Sequence, residues 1–265
     1  MIENDYNGEE YYNSYLYGAE SPIKKFNDEY FSKLASEFKH FDNSNYCVLD
    51  LQGGDGYWGL KIAKILNAKK SICTDFTKSM IDMGSKKYSS EKIEFYNLGF
   101  EESLTDERIL KEKYCAIIIK EAIHFSNPGY AQKLYNFLNN NCSENFFLSC
   151  NGLIRTKHWK TVPDVFPKPF MDYLNLHPND SWDFAEEMKK ISGEKDLIIK
   201  KELHELLYEF PFEAFKYFLE KRCWSGFNLC SDEEIQTAIN KQKNDSGIVR
   251  YTFGNCYVVI TKNQG

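Results

Sequence analysis

The chain has 265 residues, of which 42% are hydrophobic and 27% are charged. This balance describes an ordered globular protein and excludes a disordered chain, a collagen-like chain and a small disulfide scaffold. No apolar run reaches the roughly 18 residues that a membrane-spanning helix needs, and residues 1–18 are acidic and rich in tyrosine, unlike a secretory signal. We therefore expect a cytoplasmic protein with no membrane contact, whose oligomeric state the sequence does not specify.

The formal net charge is −6, from 33 basic and 39 acidic side chains. Proteins that bind nucleic acid usually present a basic field to the phosphates. The acidic balance therefore argues against a nucleic acid as partner and favours a small-molecule ligand.

The first predicted core element is a short apolar strand, Cys47–Leu51, which runs directly into a glycine-rich turn at Gly53, Gly54 and Gly56. Beyond the turn, apolar residues recur at helical spacing from Trp58 onward. The pattern predicts a strand, a glycine turn and a helix in immediate succession.

Four more short apolar runs follow, separated by helical patterns. They are residues 71–75, 93–96, 114–120 and 145–150. Runs that are apolar on both faces are typical of a parallel sheet covered by helices on both sides. Thr77 follows the second run, and its hydroxyl is expected to cap the next helix. The first half of the chain therefore predicts an α/β fold with a mainly parallel sheet.

The pattern changes after Cys150, where prolines and large aromatic side chains accumulate to about residue 194. A linker would not carry so many apolar side chains, so we interpret this segment as a lid or substrate cap. Strand and helix patterns return near residues 197–207, near 212–223 and after Ser231. The chain closes with an apolar strand, residues 256–261, which we expect to be buried.

Two acidic residues accompany the glycine turn. Asp50 lies in the first strand, and Asp75 ends the second strand, 19 residues beyond Gly56. Glycines let the backbone approach a ligand closely, and the N-terminus of the following helix offers unpaired N–H groups. A carboxylate at the end of the next strand can accept both hydroxyls of a ribose. Together these features predict a nucleoside site; the alternative is a turn that only reverses the chain.

These residues resemble a known family. The stretches VLDLQGGDG (48–56) and TDFTKSMI (74–81) are similar to the first two motifs of class I S-adenosylmethionine-dependent methyltransferases, and the likeness continues to residue 125. The resemblance implies a Rossmann-like, mainly parallel seven-stranded sheet with helices on both faces, an antiparallel last strand and an inserted cap. It also implies S-adenosyl-L-methionine as the cofactor.

The resemblance further implies a single methyltransferase domain in four parts. These are an N-terminal helical flap at about 1–44, a cofactor-binding core at 45–150, a cap with late core elements at 151–240, and a closing strand at 250–265. The tyrosine-rich start would close over the cofactor as a flap; the alternative is that it packs against the sheet.

Individual residues also acquire roles from the resemblance. Asp50 and the glycine turn would approach the methionine part of the cofactor, Asp75 would hold the ribose, and Phe76 and Met80 would flank the adenine. The complete set of predicted cofactor contacts is Asp50, Gln52, Gly53, Gly54, Gly56, Asp75, Phe76, Met80, Phe100, Glu101 and Lys120.

Two positions depart from the family pattern. Gln52 stands where the family usually has glycine, so a residue with a side chain must meet the tight first turn. Gly99 stands where the family often has an aspartate for the adenine amino group, so Glu101 or a backbone carbonyl would have to replace it. These departures leave open a protein that binds the cofactor without catalysis.

A dinucleotide-dependent oxidoreductase is the main rival, because it uses a similar turn. Gly54, Gly56 and Gly59 fit its GxGxxG spacing. The acidic Asp50 four residues before Gly54, together with the stretch that follows Asp75, favours the methyltransferase.

Reacting groups should converge beyond the carboxyl end of the fourth strand, where the chain reads Lys120-Glu121-Ala122-Ile123-His124. We predict His124 and Glu121 as catalytic groups, since an imidazole can accept a proton near neutral pH; structural roles are the alternative for both. Aromatic faces can shelter a cation and arginine can bind a carboxylate. The predicted substrate contacts are Tyr11, Arg155, His158, Trp159, Arg222 and Trp224, with core packing as the alternative for each.

The eight cysteines contain no CxxC pair, so we predict buried thiols and no metal site. The acidic charge and the aromatic cap favour methyl transfer from S-adenosyl-L-methionine to a small-molecule acceptor. The alternatives are a protein or RNA methyltransferase and an inactive cofactor-binding regulatory protein. The sequence does not specify whether O, N, S or C receives the methyl group.

Overall fold

The fold is described from a computed structural model, in which the described residues are 22–123, 126, 129–153, 165–176, 180–222, 225–244 and 246–263. Helices and strands alternate through its first half. The elements are α1 (Pro22–Phe38), β1 (Cys47–Leu51), α2 (Tyr57–Leu66), β2 (Lys70–Asp75), α3 (Lys78–Lys87), β3 (Ile93–Asn97), α4 (Phe100–Ser103), α5 (Glu107–Leu110), β4 (Tyr114–Lys120), α6 (Tyr130–Asn141) and β5 (Cys142–Leu153).

The described part of the second half is richer in helix. Its elements are α7 (Lys168–Leu176), α8 (Ser181–Asp196), β6 (Leu197–Pro211), α9 (Phe212–Glu220), a 3-10 helix (Ser225–Leu229), α10 (Asp232–Gln242) and β7 (Ile248–Lys262). None of the helices in the described ranges is long and apolar enough to cross a membrane.

The described strands form one seven-stranded sheet in the order β3-β2-β1-β4-β5-β7-β6. Strands β1 to β5 pair in parallel, and the last strands are antiparallel. The predicted α/β, Rossmann-like fold class is therefore confirmed. Parallel pairing brings the carboxyl ends of β1, β2, β3 and β4 to one edge, called the carboxyl edge below.

The short central strands owe their continuous apolar runs to burial on both faces. Every residue of β1 is buried, and in β4 only the final Lys120 is partly exposed. Thr77 does precede α3 as predicted, but its hydroxyl makes no capping hydrogen bond. That part of the prediction was wrong: Thr77 is held through its main chain, where the Asp75 carboxylate accepts the Thr77 N–H at 2.7 Å.

The chain consists of two compact units, and the larger comprises the described residues of Asp28–Leu153, Pro178–Leu203 and Cys256–Gly265. In its core, Phe31 of α1 packs 5.4 Å from the ring of Trp58 in α2. Both belong to one buried apolar cluster with residues of β1, β4 and β5. The second half of α1 is thus part of a core; residues 1–21 of the predicted flap lie outside the described residues.

The smaller unit comprises the described residues of Met1–Asn27, Ile154–His177 and His204–Asn255. Its core is aromatic, with ring centroids 4.3 to 6.0 Å apart. The rings belong to Phe166, Phe170, Phe215, Phe227 and Tyr251. Aromatic residues from the predicted cap segment therefore build an apolar core; that this unit covers a substrate stays a prediction.

Candidate functional site

The glycine turn between β1 and α2 is fixed to the end of β2 by hydrogen bonds. The Gly53 N–H donates to the Thr74 carbonyl at 3.0 Å, and the Gly54 N–H donates to the Asp75 carboxylate at 2.9 Å. Gly54 and Gly56 have φ angles of 61° and 78°, in the left-handed region that favours glycine. The turn therefore presents a rigid stretch of backbone at the carboxyl edge.

Asp75 is anchored through both of its carboxylate oxygens. One oxygen accepts the Gly54 N–H and the other accepts the Thr77 N–H, and the residue is only 3% exposed. Burial raises the pKa of Asp75, while the bonds from Thr77 and Gly54 act against that rise. Each carboxylate oxygen has a second lone pair. The group is thus held in one orientation where the prediction placed a receptor for ribose hydroxyls.

Asp50 lies beneath the turn and is fully buried. Its Oδ2 accepts the Gly59 N–H at 2.8 Å, while its Oδ1 has no hydrogen-bond partner among the described residues. Burial raises the pKa of Asp50 to about 7; the Gly59 bond opposes the rise, the Asp55 and Asp75 charges add to it, and the Lys120 ammonium also opposes it. A Cβ on Gly53 would lie 2.3 Å from the Asp50 Cγ, so only glycine lets the turn pass over this carboxyl.

Gln52 occupies the position where the resembled family has glycine, and it takes the left-handed conformation that glycine would take, with φ of 55°. Both ends of its side-chain amide form hydrogen bonds. Nε2 donates to the Leu98 carbonyl at 3.0 Å, and Oε1 accepts the Phe76 N–H at 3.1 Å. The side chain therefore joins the ends of β2 and β3.

The two predicted adenine-flanking residues differ in exposure. Phe76 leaves 41% of its surface exposed at the end of β2, which suits a side chain that covers a ligand. Met80 of α3 is buried, and its Cε lies 3.0 Å from where a Cβ on Gly54 would be. Met80 thus packs under the turn.

The segment after β3 also contains predicted cofactor contacts. Phe100 is buried and lies edge-on to Tyr130, with ring centroids 4.5 Å apart. Glu101 forms an ion pair with Lys133. The Gly99 N–H donates to the Glu102 carboxylate at 2.9 Å, so this carboxylate caps the N-terminus of α4.

The end of β4 combines opposite charges with an unusual backbone. The Lys120 Nζ lies 3.3 Å from the Glu121 carboxylate and 5.9 Å from the centroid of the Trp58 ring. Glu121 has a φ of 52°, and its N–H donates to the Asn151 carbonyl at 2.8 Å. A left-handed residue of this type is costly and is often found at functional sites.

Several predicted residues cannot be placed at the site. Tyr11, His124, Arg155, His158, Trp159 and Trp224 lie outside the described residues. Arg222 is described: its guanidinium donates to the Phe227 and Cys230 carbonyls and to Asp232, the last at 2.8 Å. These contacts tie it to the 3-10 helix and to the start of α10, and a substrate role for Arg222 stays a prediction.

Two residues of the site were missed by the sequence interpretation. The Asn97 amide donates to the Asp75 and Phe76 carbonyls at 2.8 and 2.9 Å. Asp55 is buried inside the glycine turn and pairs with Lys87 at 2.9 Å. A polar residue directly after an apolar strand was the available signal for Asn97. Within the described ranges, no group of three or more His, Cys, Asp or Glu side chains is arranged to hold a metal ion.

No protein-family model and no curated protein matches the chain. Solved structures do resemble it. The YcgJ protein from Bacillus subtilis aligns at a TM-score of 0.53 and 16% identity, over 89% of this chain and 100% of its own. The plantazolicin methyltransferase BpumL, solved with a pentazolic desmethylPZN analog and SAH, aligns at 0.52 and 14%, over 97% of each chain.

A third structure, from Galdieria sulphuraria and classed as a sarcosine dimethylglycine methyltransferase, aligns at a TM-score of 0.52 and 12% identity, over 89% of this chain and 85% of its own. At such identities the likeness concerns the fold. The chain has the fold of the class I S-adenosylmethionine-dependent methyltransferases.

Proposed function

We propose that this chain binds S-adenosyl-L-methionine and transfers its methyl group to a small-molecule acceptor. The observation that carries the proposal is the Asp75 carboxylate, which Gly54 and Thr77 hold in one orientation beside the glycine turn. A fixed carboxylate at the end of the second strand suits the two hydroxyls of a ribose.

The other residues of the carboxyl edge fit the remaining parts of the cofactor. Asp50 has an oxygen without a hydrogen-bond partner among the described residues. The positive charge of Lys120 favours the ionised form of the same carboxyl and so opposes the rise of its pKa. One acidic and one basic group suit the ammonium and the carboxylate of the methionine part. The exposed Phe76 ring would cover one face of the adenine.

When bound, the cofactor supplies an electrophilic methyl group on a sulfonium. The protein's part is then to hold the acceptor in line with that group and to exclude water. We assign proton removal, where the acceptor requires it, to the two predicted catalytic residues, His124 and Glu121. Tyr11, Arg155, His158, Trp159, Arg222 and Trp224 are the residues we propose for acceptor binding.

The small-molecule class of acceptor has two supports. The net charge of −6 disfavours a nucleic acid. Among the structural neighbours, BpumL was solved with desmethylPZN analogs, and another carries the name sarcosine dimethylglycine methyltransferase. The compounds in these names differ from each other, so they support the class of acceptor and not its identity.

Calorimetric titration with S-adenosylhomocysteine tests cofactor binding. We expect saturable binding to the wild type and none with a nicotinamide dinucleotide. Asp75→Asn should weaken binding by about 10- to 100-fold, because a charge-assisted hydrogen bond is lost. Asp82→Asn, at an exposed position of α3, is the matched control and should bind normally. Binding of the dinucleotide alone, or unchanged affinity in Asp75→Asn, would contradict the proposal.

Turnover to S-adenosylhomocysteine with cell extract as acceptor source tests the substrate class. Activity that disappears when small molecules are dialysed out supports a small-molecule acceptor. Activity that requires the macromolecular fraction supports a protein or RNA methyltransferase, and binding without turnover in either fraction supports an inactive regulatory protein.

A further inference from the structure

Gln52 stands where the resembled family usually has glycine, and the proposed chemistry gives its side chain no role. A residue with a Cβ is disfavoured at a φ of 55°, so the turn gives up free energy to keep a side chain here. That side chain is 7% exposed, and both ends of its amide form hydrogen bonds to main-chain groups. A residue that merely replaced glycine would not need a buried side chain with two hydrogen bonds, so the Gln52 amide should have a role of its own in the site.

The two groups that Gln52 contacts belong to a wider set of hydrogen bonds. The Leu98 N–H donates to the Asp75 carbonyl at 3.1 Å, and the Asn97 amide donates to the Asp75 and Phe76 carbonyls. The Gln52 amide connects the turn after β1 to both of these segments. It thereby links the ends of three strands at the side of the site that faces Asp75 and Phe76.

We propose that Gln52 is a positioning residue for the adenosine half of the cofactor. Its amide fixes the main chain at Phe76 and Leu98 and so holds the ribose and adenine contacts in place before the ligand binds. The inference rests on the proposed function. It assigns Gln52 a role through Phe76 and Leu98, in place of the direct cofactor contact that the resemblance implied.

The chemistry of the two bonds makes the proposal testable. Phe76 offers a donor and Leu98 offers an acceptor, and a neutral amide satisfies both. A carboxylate could accept from Phe76 but would face the Leu98 carbonyl oxygen with no proton to donate. A protonated carboxyl could again do both. The substitution Gln52→Glu should therefore remove the Leu98 bond at high pH and restore it at low pH.

The turn, the end of β2 and α4 carry other charged groups. Asp50 and Asp55 lie on the turn side, Asp75 follows β2, and Glu101 and Glu102 lie on α4; Lys87 pairs with Asp55 and Lys133 with Glu101. Their own titration contributes to any pH dependence of the wild type. Affinities of the variants are therefore compared with the wild type at each pH.

The experiment measures the dissociation constant of S-adenosylhomocysteine from pH 5 to pH 8 for the wild type, Gln52→Glu, Gln52→Met and Gln52→Gly. At pH 8 we expect all three variants to bind at least about 10-fold more weakly, as for loss of a buried hydrogen bond. Burial and the facing Leu98 carbonyl oxygen should raise the pKa of the introduced carboxyl above its ordinary value of about 4.3. At pH 5, Gln52→Glu should therefore return to within about 3-fold of the wild type, and Gln52→Met should not. Gln52→Gly should stay weak although glycine suits the backbone.

A ligand-independent measurement accompanies the titration. Hydrogen exchange of the Phe76 amide in the free protein should be faster in Gln52→Met and Gln52→Gly, and in Gln52→Glu only at the higher pH, after correction for intrinsic exchange. The melting temperatures of the free proteins identify any variant that is merely unstable. The other variants then test the role proposed for Gln52.

The inference is overturned if Gln52→Gly binds as tightly as the wild type, or if the affinity of Gln52→Glu relative to the wild type does not change with pH. A wild type that binds no S-adenosylhomocysteine overturns the proposed function and the cofactor role of Gln52 with it. Binding by the wild type with unaffected variants overturns only the Gln52 inference.

Discussion

At the scale of single residues, Asp50 shows a conflict between the needs of the site and those of the fold. A carboxyl with an ordinary pKa near 4 is held at about 7 by burial under the Gly53 backbone. Above that pH the folded protein must keep a buried charge that has one hydrogen bond, from Gly59. A positive ligand group near this carboxylate would offset the free-energy cost of burying its charge. Ligand binding therefore accounts for an acidic residue at this buried position.

The direction of the resulting pH dependence follows from linkage. Because the pKa of Asp50 is raised on folding, its contribution to stability is fully present below the unfolded pKa near 4 and is lost as the pH rises through about 7. Asp50→Asn keeps an acceptor for the Gly59 N–H and removes the charge. It should raise the free energy of unfolding at pH 8 by ~1–3 kcal/mol, raise it by only about a third as much at pH 5, and weaken S-adenosylhomocysteine binding.

Urea unfolding at both pH values, with Asp82→Asn as the control, measures this effect. A variant that is less stable than the wild type at pH 8 would show that the Asp50 charge is stabilised in the folded chain.

Sequence reasoning reached Asp50 and Asp75 because each ends or nearly ends an apolar run beside a recognisable turn. It could not reach the role of the Gln52 side chain. That role depends on a carbonyl 46 residues away in sequence, at Leu98, and no local pattern reports which loop of the neighbouring strands lies against the turn.

At the scale of elements, α3 is pressed against the glycine turn at Gly84. A Cβ there would lie 2.5 Å from the Asp55 carbonyl oxygen and 2.6 Å from the Phe95 Cε1. The helix is thus close enough to the turn that its position and the turn's position depend on each other.

Gly84→Ala should therefore destabilise the protein by about 1–3 kcal/mol, through overpacking, although alanine favours a helix over glycine. It should also weaken S-adenosylhomocysteine binding, since the turn must move. Ser85→Ala changes an exposed neighbour on the same helix and should leave both quantities nearly unchanged. Thermal unfolding and calorimetry give the two values, and a Gly84→Ala protein as stable as Ser85→Ala would argue against tight packing.

The elements themselves were predicted unevenly. β1 and β4 have the predicted bounds, since burial on both faces leaves an unbroken apolar run. β5 and β7 extend beyond the apolar runs at 145–150 and 256–261 that predicted them. The first residues of β5 include the polar Ser143 and Glu144, and β7 begins eight residues before the apolar run at Cys256. At both strand starts, pairing within the sheet outweighs the local preference of the residues.

At the scale of the whole molecule, the two compact units differ in what builds their cores. The larger relies on aliphatic strand residues with aromatic helix residues, whereas the smaller relies on packed aromatic rings such as Phe166 and Phe170, which are tilted by 58° to each other. The sequence showed the change of composition after Cys150. It did not show that residues 204–255 join this aromatic segment in one unit, because that grouping is made by contacts between distant parts of the chain.

Ligand binding should be visible on this scale as well. At 100 times its dissociation constant, S-adenosylhomocysteine should add about 2.7 kcal/mol to the unfolding free energy and raise the melting temperature by roughly 5–10 °C. Hydrogen exchange should slow most at residues 50–56, 75–80 and 97–100 of the larger unit. A matching rise with slowed exchange confined to the smaller unit would place the ligand elsewhere and contradict the assigned site.

The left-handed Gln52 has a consequence for how such a turn can change during evolution. Glycine at this position needs no partner, whereas glutamine is tolerated only while a donor at residue 76 and an acceptor at residue 98 stay within reach. Among descendants of this chain, a return to glycine would leave two main-chain groups without their partner, and a rearrangement after β2 or β3 would leave a strained glutamine. Position 52 and these two segments should therefore vary together, as a single inherited unit.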